Sequence, residues 1–195
     1  MHVGLLWRWV AILSTGYDKS QAIADLAMIA FFFMLRPGKY CSGRSDFHTS
    51  PFRMKNVQLG INQRDIPAIK ITLSQHHKLT TVSLTFTDQE NGVKGESITH
   101  GRTDDLKVDL VQCVLNRIMY LHQHWSPTTT ALCRYLHNNV WTEITASDIT
   151  EAIRVTVRAH GKQFGLLESD NSARSMRAGG RGSMALLLAG VPEDT

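Results

Sequence analysis

The sequence has few of the residues that would place it in the common enzyme and scaffold classes. Its three cysteines, Cys41, Cys113 and Cys133, form neither a close pair nor a zinc-type spacing with histidine. An odd, scattered set argues against a disulfide framework or a metal site and fits a reducing, intracellular compartment. No apolar run reaches bilayer length: residues 22–35 are apolar, but the run is short and holds Asp25, which suits a core helix and not a membrane span. Residues 1–13 lack the charged start and small-residue cleavage site of a secretory leader. There is no Walker-type phosphate loop, no dinucleotide fingerprint and no Gly-x-Ser-x-Gly elbow. The carboxylates are scattered, with no close pair in an apolar setting for acid/base work. Internal repeats, heptads and a low-complexity tail are also missing. No cofactor, metal or membrane partner is therefore expected.

What is present suffices for one domain. With 195 residues, 43% of them hydrophobic, the chain can bury a real core. The expected organisation is a single unit over residues 1–195, with residues 1–20 as an N-terminal helix and linker. The net charge of +4 is mild, but its distribution is informative. Between residues 154 and 181, Arg154, Arg158, Lys162, Arg174, Arg177 and Arg181 are opposed by Glu168 and Asp170 alone. A positive field is concentrated there.

Periodicity gives the elements. Residues 5–14 read as a short helix. From Ser20, placed as an N-cap, Ile23, Leu26, Ala27, Ala30, Phe31 and Met34 recur at helical spacing until Pro37-Gly38. Arg36 at the end of this apolar helix reads either as an anion ligand or as a cation favoured by the helix dipole. Residues 53–59, 68–73 and 80–87 are strand-like, and Asn91-Gly92 predicts a turn into a returning strand over 93–100. His76, His77 and Lys78 lie between strands; adjacent side chains point apart, which suits a solvated loop better than a metal pair. Residues 106–125 resume helical spacing, with His122 and His124 at the wet end. Residues 131–141 read as a short strand or irregular turn. Thr145 caps a helix over 147–160, and Ser169, Asp170 or Asn171 can cap the last one. The fold class is α+β, mostly helical, with a small antiparallel sheet of three to four strands.

Two arginine sites stand out. One is Phe33-Met34-Leu35-Arg36-Pro37-Gly38-Lys39-Tyr40. The other is Arg174-Ser175-Met176-Arg177-Ala178-Gly179-Gly180, running on to Leu188-Ala189-Gly190-Val191. Arg174 and Arg177, three apart, share a face on a helix, and guanidinium forks suit oxyanions.

These boxes and the element order between them resemble the catalytic domain of the tyrosine recombinase, or phage integrase-like, family, in particular its members from eukaryotic mobile elements. The resemblance runs from Ala22 to Thr195 and implies a DNA breaking-rejoining fold. It implies DNA as partner, a homo-oligomer assembled on it and a nuclear location. The implied chemistry is attack of a tyrosine hydroxyl on a phosphodiester, with Arg36 and Arg177 holding the scissile phosphate. Arg174 occupies the place of the family's box histidine, keeping a donor but no proton shuttle near neutral pH. Lys94 is the candidate for the hairpin lysine that protonates the leaving oxygen. Arg154, Arg158, Lys162 and Arg181 are the expected further DNA contacts.

The departures shape the expectation. Lys39 stands where the family often has glutamate, and Arg181-Gly182 looks like a two-residue insertion that disturbs the start of the following helix. All four tyrosines, Tyr17, Tyr40, Tyr120 and Tyr135, precede Arg177, whereas the family's nucleophile follows it. The chain is expected to be a degenerate or truncated copy that binds DNA without cleaving it alone. The alternative is a non-enzymatic basic α+β module that binds nucleic acid or an acidic protein.

Overall fold

The computed structural model describes residues 13, 18–43, 50–87, 95–103 and 109–188, with side chains described as far as Arg181. The helix expected over 5–14, the Asn91-Gly92 turn and Lys94 lie outside the described residues.

The chain is α+β and is built around one helix. Helix α1 (Asp18–Phe32) is buried without a break from Ala22 to Phe31. A helix apolar on all sides belongs in the centre, and α1 packs against α3 (Leu110–Gln123), α4 (Ala146–His160), α5 (Ser175–Leu188) and strand β5 (Arg134–His137). Ser20 lies inside α1 and does not cap it, because the helix already begins at Asp18.

The end of α1 differs from the sequence expectation in a way that matters for the site. Met34 is not helical but left-handed, with φ 51°. Its amide donates to the Phe31 carbonyl at 3.2 Å and the Leu35 amide donates to the Ala30 carbonyl at 2.8 Å. This is a Schellman motif with methionine where glycine is usual. Arg36 then leaves in extended conformation, as the residue before proline must. Pro37 does not merely stop α1: it starts a short helix, α2 (Pro37–Tyr40).

A four-stranded antiparallel sheet lies beside the helices: β1 (Val57–Ile61), β2 (Arg64–Pro67), β3 (Thr81–Phe86) and β4 (Glu96–Gly101), in the order β2-β1-β3-β4. The strand expected over 68–73 is instead a pair of 3-10 turns, Ala68–Lys70 and Leu73–Lys78. Asn62 and Gln63, at φ 48° and 65°, make a two-residue turn that folds residues 64–67 back along β1. Pro67, with no amide to donate, then ends the strand. The same device recurs at Asn138 and Asn139, φ 50° and 61°, which join β5 to β6 (Val140–Glu143). The segment 131–141 is thus one arm and turn of a hairpin.

Helix α3 is capped by Asp109, whose carboxylate accepts from the Val111 and Gln112 amides. Thr145 caps α4 as expected, and its partner in the capping box is Asp148. α5 runs unbroken through Gly179-Gly180-Arg181-Gly182, so that segment does not disturb the helix start. Ser169, Asp170 and Asn171 do not cap it. Ser169 and Asp170 sit in a 3-10 turn, and the Asn171 amide donates to the Leu167 carbonyl. No helix among the described residues is long and apolar enough to cross a membrane.

Candidate functional site

Glycine brings the two arginine sites together. A Cβ built on Gly180 would lie 2.2 Å from the Phe31 carbonyl oxygen and 3.2 Å from Met34 Cγ. Only a residue without a side chain lets α5 cross the end of α1 this closely. Arg177 is one helical turn before Gly180, and Arg36 is just beyond the Schellman exit of α1.

The electrostatics record the result. The pKa of half-buried Arg177 is held below its ordinary value, first by burial, then by the Arg36 and Arg181 guanidiniums. Arg36, distant in sequence, and Arg181, on the same helix, therefore both act on Arg177. Among the described residues no carboxylate makes an ion pair with Arg174, Arg177 or Arg181. Guanidiniums brought near one another create a positive potential suited to an oxyanion.

The expected partner of Arg177 on the helix face is replaced. α5 begins at Ser175, so Arg174 stands outside it in an exposed turn and is not among the cations that perturb Arg177. Arg177 and Arg181, four apart within α5, are the pair that shares a face. Their spacing carries that signal in the sequence once the helix start is known.

The other expected DNA contacts are not gathered with this group. The guanidinium of Arg158 grips Glu168 through two bonds of 3.1 and 2.6 Å, Nε to one oxygen and an η nitrogen to the other. Arg154 is half-buried on α4, its Nε enclosed without a hydrogen-bond partner. Lys162 is exposed and lines a shallow recess of about 330 Å³ with Ala159, His160 and Gln163. The 3-10 turn bearing His76 and His77 holds no metal-type cluster, and none occurs elsewhere among the described residues.

Three of the four tyrosines fall among the described residues. The Tyr40 hydroxyl is buried and donates to the Ala173 carbonyl at 2.7 Å; burial raises its pKa well above the usual phenol value. The Tyr120 hydroxyl donates to the Asp18 carboxylate and accepts from the Leu136 amide, and Tyr135 is buried. Tyr17 lies outside the described residues. The tyrosines at 40 and 120 are structural donors.

A further ionisable group, Asp25, interrupts the apolar run of α1. Asp25 is buried between α1 and α3, where its Oδ1 accepts from Gln21 at 2.9 Å and from Asn116 at 3.5 Å. Burial pushes its pKa up to about 7, against the pull of the nearby Arg117 guanidinium. Arg117, also buried, donates to the Leu132 and Arg134 carbonyls and lies over the Tyr120 ring. This polar centre fixes α1 against α3 and β5. It lies about two helical turns before the end of α1, and Arg36 lies beyond that end.

Comparison with protein-family models, curated proteins and solved structures returns no match for this chain.

Proposed function

We propose that the protein binds DNA through its phosphate backbone at the face formed by Arg36, Arg177 and Arg181, with Arg174 at its margin. The carrying observation is the close crossing of α5 over the end of α1 at Gly180, which brings Arg177 near enough to Arg36 for the two guanidiniums to interact. Guanidinium forks engage phosphate oxygens two at a time and stay charged at any working pH. The two boxes and the α+β element order support a tyrosine recombinase-like DNA breaking-rejoining architecture, acting as a homo-oligomer on DNA in the nucleus. In that reading Arg36 and Arg177 hold the scissile phosphate, and Lys94 is the candidate donor to the leaving oxygen. All four tyrosines of this sequence precede Arg177, so the activity proposed for these residues is DNA binding.

Anisotropy titrations of a labelled mixed-sequence duplex over a range of salt test this. Each phosphate contact contributes about 0.9 to the slope of log K against log salt. Arg36→Ala and Arg177→Ala should each weaken binding and lower that slope by about one. Unchanged affinity and slope in both variants would remove the phosphate reading and favour a basic module for an acidic protein.

A further inference from the structure

The residue that leads into the arginine segment is held from two sides. The Ala173 carbonyl accepts from the Tyr40 hydroxyl at 2.7 Å, and the Ala173 amide donates to Thr150 Oγ1 at 3.1 Å. Ala173 is buried and directly precedes Arg174, one turn before Arg177. Tyr40 is buried too, on α2, whose N-cap is Arg36. A single hydroxyl thus joins the two chain segments that carry Arg36 and Arg177. Thr150, on α4, supplies a second anchor from a third element.

This tether opposes a specific force. Arg36 and Arg181 each disfavour the charged form of Arg177, as a nearby like charge does. Segments free to slide would relax apart and separate Arg177 from Arg36. A site meant to receive an anion must keep them fixed beforehand, since ordering them on binding would cost affinity. The Tyr40 ring fills its volume as phenylalanine would. Its hydroxyl adds only the fixed distance to Ala173, and the raised pKa keeps it a neutral donor.

We infer that Tyr40 is a positioning residue for the anion site, its hydrogen bond to the Ala173 carbonyl setting Arg177 against Arg36, with Thr150 holding the same peptide from α4. The role rests on the phosphate-binding reading of the arginines. It requires no contact between Tyr40 and the ligand.

A double-mutant cycle tests it, with a labelled mixed-sequence duplex as probe and thermal unfolding measured in parallel. Tyr40→Phe should fold and bind the duplex about tenfold more weakly at low salt, a change of ~1.4 kcal/mol. On an Arg177→Ala background the same substitution should have no further effect on affinity, since nothing remains to position. Thr150→Val, which removes the other anchor at constant volume, should act in the same direction and serves should Tyr40→Phe not fold. A purely structural role predicts lower melting temperature with affinity effects that add to Arg177→Ala. That result, or wild-type affinity in either folded variant while Arg177→Ala binds weakly, overturns the positioning role. Arg36→Ala and Arg177→Ala binding as tightly as the wild type would remove the phosphate reading itself, and the positioning role with it.

Discussion

Gly180→Ala asks whether the close crossing of α5 over the end of α1 assembles the cationic face. The added methyl carbon would sit 2.2 Å from the Phe31 carbonyl oxygen. A comfortable carbon–oxygen approach is about 3.3 Å, so the two helices must part by about 1 Å. That oxygen already accepts the Met34 amide in the Schellman motif, and it is backbone, so no rotamer change relieves the clash. Overpacking of this kind costs about 1–3 kcal/mol. Elsewhere inside a helix the same substitution gains about 0.5–1 kcal/mol from lower backbone entropy. The sign of the effect therefore decides. We expect a net loss of about 1–2 kcal/mol, equivalent to roughly 2–8 °C in melting temperature for a chain of this size. Weaker duplex binding should accompany it, since Arg177 is carried away from Arg36 on the same helix. Urea unfolding and anisotropy titration on the same preparation measure both. A Gly180→Ala protein more stable than the wild type, with unchanged affinity, would refute the close crossing and the assembly of the face by it.

Other expectations concern the rest of the molecule. Asp25 has a folded pKa of about 7 against an ordinary 3.8, so the folded state holds this proton more tightly than the unfolded chain does. Its contribution is greatest below pH 4, declines as pH rises from 4 to 7 and is flat above that. At about 1.4 kcal/mol per pH unit the decline amounts to at most ~4 kcal/mol. Asp25→Asn should flatten that part of the stability–pH curve measured by urea unfolding, and a curve of unaltered slope would show that Asp25 is not its source. Trp125 is 95% exposed and left-handed at φ 54°, where a side chain costs roughly 1–2 kcal/mol. Trp125→Gly should raise stability by about 1 kcal/mol, read from the urea midpoint, and a lowered midpoint would mean the indole has a stabilising contact. Arg158→Ala should leave duplex affinity close to the wild type, because Glu168 already occupies its guanidinium; a loss as large as that of Arg177→Ala would enlarge the binding face to include α4.

Where local chemistry decides, the sequence was legible. Thr145 with Asp148 marks a helix start by itself, and the alternation over residues 80–87 marks β3, because the relevant partners are three residues away or the period is two. Legibility fails where the deciding partner is distant. Met34 looks helical by spacing, and only the crossing of α5 at Gly180 gives its side chain a place outside the helix. Residues 68–73 carry β-type residues, yet the turn at Asn62-Gln63 had already spent the preceding four on the strand. The site divides in the same way. Arg36 and Arg177 stood out as isolated residue types, whereas their mutual effect, and the inclusion of Arg181 in place of Arg174, depend on where α5 begins. Tyr40 gave no signal beyond its nearness to Arg36, since its partner is a backbone carbonyl that no residue type announces.

The bond from Tyr40 to Ala173 spans 133 positions along the chain. During synthesis, at about 5–20 residues per second, the first of these residues is made roughly 7–27 s before the second. For that interval Arg36 exists without Arg177, and the emerging chain carries no assembled cationic face. The arginine face is in this sense a late product of translation, assembled only once α5 has docked.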